Sequence, residues 1–383
     1  MELTLNHLPV LTWNHLKLND VKAQVDTEGM TSSLRDGAVL PDGISARYGA
    51  GAEEVSNIYD KLDTKTAQEA FVAGKFPMYN EQKFATGMGA DMDLLLSKVG
   101  AATDIYEVAA GSRVAEPIIF DTEITAGEKL AEAQLICAGE GSESTWVYAY
   151  TGSKEGSGAT VGSSLRFFLE KNAKVRVVIV QMLGGSDTFL TDFGAVGEAD
   201  SELTVTKLSL GAGRVYDGLS HLQRGFRSEF LVRNGYLGLP GSYTDINYND
   251  IFVGKKSRGV MRFTGALFDD AEKVFRGTVD FRKDATGANG DEQEDVLLFG
   301  DSVVNKTIPL ILGEEEDVEG RHAATIGKLS DEMLFYIRTR GIDEKTAEAM
   351  MVRAALSDIS RDIPVEEIKK RADERIDTLF ERA

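Results

Sequence analysis

The chain has 383 residues, 42% hydrophobic and 27% charged, a globular composition long enough for two or three domains. Its formal charge of −20 sets it against nucleic acid and anionic membrane surfaces, both of which demand a cationic footprint. No apolar run reaches the roughly 18 residues of a membrane span, and the opening MELTLNHLPVLTWNHLK lacks the basic start and cleavage site of a signal peptide, so a cytosolic protein is expected.

The first hundred residues mix signals. Trp13, Leu16 and Leu18 lie in a short apolar opening. Ala52–Lys75 is dominated by Ala, Glu, Lys and Leu and predicts a helix, with Asp63–Thr66 resembling a cap region, and Asp91–Val99 predicts a further short helix. From about Asp104 the period becomes that of strands. Candidates follow at Ile105–Val108, Ala115–Phe120, Ala133–Cys137, Thr145–Tyr150, Ser164–Leu169, Val175–Leu183 and Leu203–Leu210. More follow at Ser228–Val232, Ser257–Phe263, Val274–Phe281, Val296–Phe299 and Thr307–Leu312. Short strands at close spacing, separated by Gly, Ser, Asp and Asn clusters, predict a sandwich, barrel or β-solenoid. The 39 glycines and the lack of long helices between strands speak against a doubly wound sheet, and no strict repeat chooses among the remaining three.

After Ile326 the pattern turns helical. Ser330 is placed as the N-cap of a helix through Arg340 that Gly341 closes, and a second helix beginning at Ile342-Asp343 carries Ala347, Met350, Met351 and Ala354. Pro364 can open a third, whose stripe Val365, Ile368, Ala372, Ile376 and Leu379 serves either packing within the chain or docking of a partner.

The common catalytic motifs are missing. There is no GxxxxGK[ST] loop to cradle phosphates, and GMGAD at Gly87 and GAGAE at Gly49 are not dinucleotide fingerprints, so the chain is not expected to hydrolyse ATP by itself. No serine sits in a G-x-S-x-G elbow. DFRKD (Asp280–Asp284) supplies the residue types of a polysaccharide lyase, but alternating charges also describe a solvated strand face. Cys137, the only cysteine, allows no internal disulfide and cannot build an iron–sulfur cluster, which takes about four protein ligands. It reads as a small buried hydrophobe. Of the four histidines, His322 stands out: Gly320, Ala323 and Ala324 leave its ring accessible, and Glu314–Asp317 and Glu319 lie close by in sequence. Such a residue is either a hydrogen-bonded structural histidine or a ligand for iron.

The stretch Val296–Ile342, VLLFGDSVVNKTIPLILGEEEDVEGRHAATIGKLSDEMLFYIRTRGI, resembles the C-terminal signature of the SufB/SufD family, the scaffold proteins of the SUF iron–sulfur cluster assembly system. AEPIIF (Ala115–Phe120) and ICAGEGSESTWVYAYTG (Ile136–Gly152) look like the family's early β-helix rungs. LNHLPVLTWNHLK and ATGMGADMD (Ala85–Asp93) are similar to SufD-like chains of anaerobic bacteria. The resemblance implies a mainly β protein: an N-terminal mixed, partly helical region (1–102), a right-handed parallel β-helix core (103–326) and a C-terminal helical domain (327–383).

It also implies roles. SufD-type proteins place a required histidine in an HGAT-like motif, here HAAT with His322 leading it and Ala323 replacing the usual glycine. The cysteine that SufB-type scaffolds carry in the segment matching QEDVLLFG is Glu294 here, and their glutamate after the histidine is Ala323, so the resemblance is to a SufD-like, non-catalytic subunit. The implied partners are a SufB-type scaffold, meeting the C-terminal rungs, and a SufC-type ATPase, meeting the C-terminal helices. His322 would then hold iron or a nascent cluster transiently, the cluster being shared with SufB; no stably bound cofactor is implied for the isolated chain. A reduced flavin is associated with the family's complex, although no flavin motif is readable. Two other readings remain: a homodimeric scaffold working with SufC alone, and a β-helical carbohydrate-active enzyme.

Overall fold

The computed structural model describes the chain apart from residues 13, 34–39, 52, 59–85, 329–330 and 381–383. Near the start, β1 (Glu2–Leu5) pairs antiparallel with β2 (Val21–Gln24), and β3 (Thr31–Ser32) and β4 (Ile44–Ala50) follow. Residues 53–58 are helical. The remainder of the predicted Ala52–Lys75 helix, its cap region Asp63–Thr66, and Trp13 lie outside the described residues. Helix α1 (Ala90–Lys98) matches the predicted Asp91–Val99 to within a residue at each end.

Sixteen strands then wind into a parallel β-solenoid. They are β5 (Thr103–Val108), β6 (Ile118–Glu123), β7 (Lys129–Ala138), β8 (Glu143–Thr151), β9 (Thr160–Leu169), β10 (Lys174–Met182), β11 (Thr188–Gly197) and β12 (Glu202–Ser209). The series continues with β13 (Arg214–Gln223), β14 (Glu229–Gly238), β15 (Tyr243–Phe252), β16 (Arg258–Phe268), β17 (Glu272–Phe281), β18 (Ala288–Phe299), β19 (Val304–Gly313) and β20 (Val318–Gly327). Even-numbered strands stack in one eight-stranded sheet; odd-numbered ones, with β3 and β4, form a ten-stranded sheet facing it. Each strand pairs in parallel with the strand two places on, and only β4 joins antiparallel, to β5.

The repeat that the sequence hides is visible at one corner of each turn. Gly141, Asn172, Asp200, Arg227, Lys256 and Asp284 all have positive φ, between 53° and 73°. Each is followed by a buried small residue: Ser142, Ala173, Ser201, Ser228, Ser257 and Ala285. The left-handed residue turns the chain from one sheet to the other, and only a small side chain fits inside the corner. Successive corners are tied by backbone hydrogen bonds, for example Asp200 N–H to Phe226 O at 2.8 Å and Arg227 N–H to Lys255 O at 2.9 Å. Turn length varies, from 26 residues between the paired Thr188 and Arg214 to 32 between Glu272 and Val304, which defeats a fixed-period search.

Three apolar layers hold the solenoid together. The innermost is aromatic-rich, with Trp146, Tyr148, Phe167 and Phe193 fully buried, and Phe167 stacks on Phe193 of the next turn at 5.1 Å and 19°. Outside the eight-stranded sheet pack α3 (Glu344–Ser360) and α4 (Glu366–Phe380), which follow α2 (Asp331–Thr339). Val352, Leu356 and Ile359 of α3 and Ile368, Ala372 and Ile376 of α4 meet Val178, Val180, Leu208 and Leu237 of the sheet. The stripe on the third predicted helix is therefore spent on packing within the chain. Gly341 closes α2 with φ of 81°, as expected, and the Asp343 side chain, accepting from Thr346 N–H at 2.8 Å, caps α3 where the second helix was expected to begin. Ser330 lies outside the described residues.

Outside the ten-stranded sheet lies the N-terminal layer, where Leu3, Leu5, Met88, Met92 and Leu95 cover Ala131, Leu190 and Tyr216. This cover explains why β11, β13 and β15 escape a sequence reading. Both of their faces are buried, and outward Asp192, Asp245 and Asn247 are polar residues that bind the layer rather than water. On β15 (YTDINYNDIF) the Asp245 carboxylate accepts from Asn6 Nδ2 at 2.7 Å and pairs with Arg276 at 2.6 Å, while Asn247 Nδ2 donates to Gly87 O at 3.0 Å.

On β11, Asp192 accepts from Met88 N–H at 2.9 Å. Burial, opposed chiefly by Arg166, pushes this carboxyl from 3.8 to about 6. A carboxyl raised on folding favours the fold below its unfolded value, and that contribution is lost as pH rises through its folded value. Asp192→Asn is therefore expected to be more stable than the parent at pH 8 and no more stable at pH 3.5, a difference read from urea midpoints at the two pH values. An equal change at both would refute the assignment. Among the described residues no helix is long and apolar enough to cross a membrane.

Candidate metal site at the open end of the solenoid

The last turn, β19 and β20, has one neighbour on each strand and a bare edge on the other side. Ile311 and Ile326 are about half exposed there (48% and 50%), so the solenoid ends in an open, partly apolar rim rather than a capped one. Val318–Gly327 is the strand β20, and the small residues around His322 are edge-strand positions, exposed along nearly the whole strand.

Parallel register places His322 beside Glu292 of β18, and Ala324 beside Glu294. Inside the solenoid at this level, Glu294 is fully held. Lys273 of β17 forms an ion pair with it, Tyr236 O–H donates to Oε1 at 2.9 Å and Thr307 O–H to Oε2 at 2.7 Å. Burial pushes the Lys273 ammonium down, opposed by Glu294. Glu294 is thus a carboxylate committed to a buried ion pair.

His322 is different. Its Nδ1 lies 3.1 Å from Glu292 Oε2, and its side chain is 27% exposed while that of Glu292 is 1% exposed. Burial, with the neighbouring Glu294 adding and Lys273 opposing, raises the Glu292 carboxyl to about 8. The imidazole therefore has one nitrogen held inside the solenoid and the other ring edge toward the open rim. An imidazole so placed can take a soft or borderline divalent metal through Nε2.

The acidic residues near His322 in sequence do not join it. Glu315 accepts from the turn amides of Asp284 and Glu316, both at 3.0 Å; Glu319 accepts from Asn289 Nδ2 at 2.8 Å; Glu314 lies 3.8 Å from Arg282. The carboxyl that does meet the ring comes from 30 residues earlier, one solenoid turn away. That spacing is the one signal that could have found it. Arg282 of DFRKD is engaged by Asp280 and Glu314, an ion-paired strand end. Cys137 lies on β7 among Ile105, Leu135 and Val55, and burial, with Glu107 and Glu170 adding, pushes its thiol to about 12. Among the described residues no three His, Cys, Asp or Glu side chains gather to hold a metal ion. His322 and Glu292 alone do not complete a metal-binding set.

Residues 122–355 match the family model described as the SufBD core domain of SUF-system FeS cluster assembly. The chain is 30% identical over 121 residues to the iron–sulfur cluster assembly protein SufD of Bacillus subtilis, covering 32% of this chain and 28% of that protein. It is 28% identical over 213 residues to an iron–sulfur cluster assembly SufBD family protein of Pyrococcus horikoshii, covering 53% of this chain and 46% of the relative. A SufBD family protein of Staphylococcus epidermidis is 22% identical over 358 residues, covering 82% of this chain and 76% of the relative. The first two matches thus take in less than half of the relatives' own length. With the family model spanning most of the solenoid and reaching into α3, the chain belongs to the SufBD core family of the SUF iron–sulfur cluster assembly system.

Proposed function

We propose that this chain is a SufD-like, non-catalytic subunit of a cytosolic SUF assembly complex. It pairs with a SufB-type scaffold through its open last turn and binds a SufC-type ATPase through its C-terminal helices. The observation that carries this reading is the incomplete site: one accessible imidazole, held from behind, on a bare solenoid edge. Iron or a nascent cluster is the cargo, met by His322 on this side and by thiolates of the partner on the other. Glu294, locked to Lys273, keeps this side free of the thiolate chemistry that the SufB-type scaffold supplies.

For the ATPase, the apolar stripe of α4 is already used, so docking falls to what the helices leave outside. Phe335 and Tyr336 of α2 and Met350 of α3 are 71%, 58% and 55% exposed. Exposed aromatics and methionine of this kind mark association surfaces.

The test is co-expression with the SufB-type and SufC-type proteins of the same host and weighing of the purified assembly. Recovery of all three chains together is the expected result. Uptake of SufC alone would turn the reading to a homodimeric scaffold, since the bare edge also suits a second copy of this chain. Uptake of neither would overturn it.

A further inference from the structure

We propose that Glu292 is a positioning residue for His322: its buried carboxyl fixes the imidazole with Nδ1 turned into the solenoid and Nε2 presented at the open end. This rests on the reading of His322 as a metal ligand and adds to it the residue that aims the ring.

The first support is how little else Glu292 does. Among the described residues its one hydrogen bond is to His322 Nδ1 at 3.1 Å, and its other oxygen, Oε1, is buried without a partner. A buried carboxyl with so little compensation is costly. On the same inward line of β18, Ala288 and Val296 belong to the apolar core, so an aliphatic side chain would serve packing better. Glu294, two residues on, shows what a structural carboxylate looks like here, with Lys273, Tyr236 and Thr307 all bound to it. Glu292 has no such set.

The second support is the space made for it. Gly277 faces Glu292 from β17, and a Cβ at that position would stand 2.8 Å from Phe275 Cζ and 2.9 Å from both Cδ and Oε2 of the carboxyl. A glycine inside a strand carries an entropic cost, and a close approach is a reason to keep it. The third is the gradient of exposure across the pair, 1% for Glu292 and 27% for His322, which leaves one end anchored and the other free. Metal-bound imidazoles are commonly held in this way, the second ring nitrogen bonded to a carboxylate that fixes the ring's orientation. One hydrogen lies between Nδ1 and Oε2, and rotating the ring breaks that contact whichever group holds it. The effect on His322 is therefore geometric.

The test uses ¹⁵N-histidine-labelled protein, read by the ring-nitrogen shifts of the metal-free chain and by Fe(II) affinity of the partnered complex under anaerobic conditions. In Glu292→Ala the His322 ring nitrogens are expected to move toward the averaged values of an unrestrained ring, while His7, His15 and His221 stay unchanged. Fe(II) affinity should fall about 10- to 100-fold. Glu292→Gln, whose amide oxygen can accept from Nδ1–H, should regain most of the parent ring signature, a rescue that a merely packing role would not give. Parent ring shifts and parent Fe(II) affinity in Glu292→Ala would overturn the proposal. His322→Ala separates the two claims. If it leaves Fe(II) affinity unchanged, the metal reading of His322 falls, and the ring shifts of Glu292→Ala still decide whether Glu292 aims the imidazole.

Discussion

His322→Ala is expected to leave the fold and the partnered complex intact while lowering the iron that the complex retains by at least about tenfold, the scale on which even supporting residues of metal sites act. The side chain sits on an edge strand, is 27% exposed and touches one polar group, Glu292. Substitutions with so few contacts usually change stability by no more than about 0.5 kcal/mol. Loss of function without loss of stability is therefore the signature to look for, read as iron per complex beside a thermal melt of the same preparation. Unchanged iron in His322→Ala would remove the histidine from the site. A large fall in melting temperature would make it a structural residue instead.

Lys273→Met is expected to have the largest effect on stability, about 3–5 kcal/mol, because it leaves Glu294 charged and buried without its cation. Both side chains of the pair are 0% exposed. Tyr236 and Thr307 still donate to Glu294 in the variant, which places the loss toward the lower end of that range. Removing both partners, as Lys273→Met with Glu294→Leu, should recover part of the stability, since the buried charge is gone while Tyr236 and Thr307 lose their acceptor. Urea unfolding of the parent, the single and the double variant measures all three. Thr307 belongs to β19, so the single variant should also speed amide exchange along the final turn before the rest of the solenoid. A single variant as stable as the parent would mean that the pair is not buried as described.

The β-rich core and the helical tail were legible because several strands are apolar, β-branched runs, as in Val175–Leu183, where Val177 and Ile179 face the inner core and Val178 and Val180 face the helices. Other strands were not. In β15 the residues that face outward, Asp245 and Asn247, hydrogen-bond to Asn6 and to Gly87 of the N-terminal layer, so a buried strand presents a polar sequence. The turn repeat was equally hidden. Its marks are a left-handed Gly or polar residue followed by Ser or Ala, and Gly141, Asp200 and Arg227 share no side-chain chemistry. What they share is a backbone angle. The candidate site divides along the same line. His322 stood out through its family motif and its small neighbours, whereas Glu292 carries no motif and becomes a neighbour only once one turn of the solenoid is laid on the next. The carboxylates adjacent to His322 in sequence instead serve the turn and the strand surface.

The proposed site is shared, with this chain supplying one imidazole and the partner supplying thiolates. The most direct test is the iron and acid-labile sulfide content of the chain purified alone and in its three-protein complex, both prepared anaerobically. The account predicts iron and sulfide in the complex and neither in stoichiometric amount on the isolated chain, whose single thiol is raised to about 12 and whose described residues gather no three-ligand set. A stoichiometric cluster on the isolated chain, or a complete complex that never takes up iron, would contradict it.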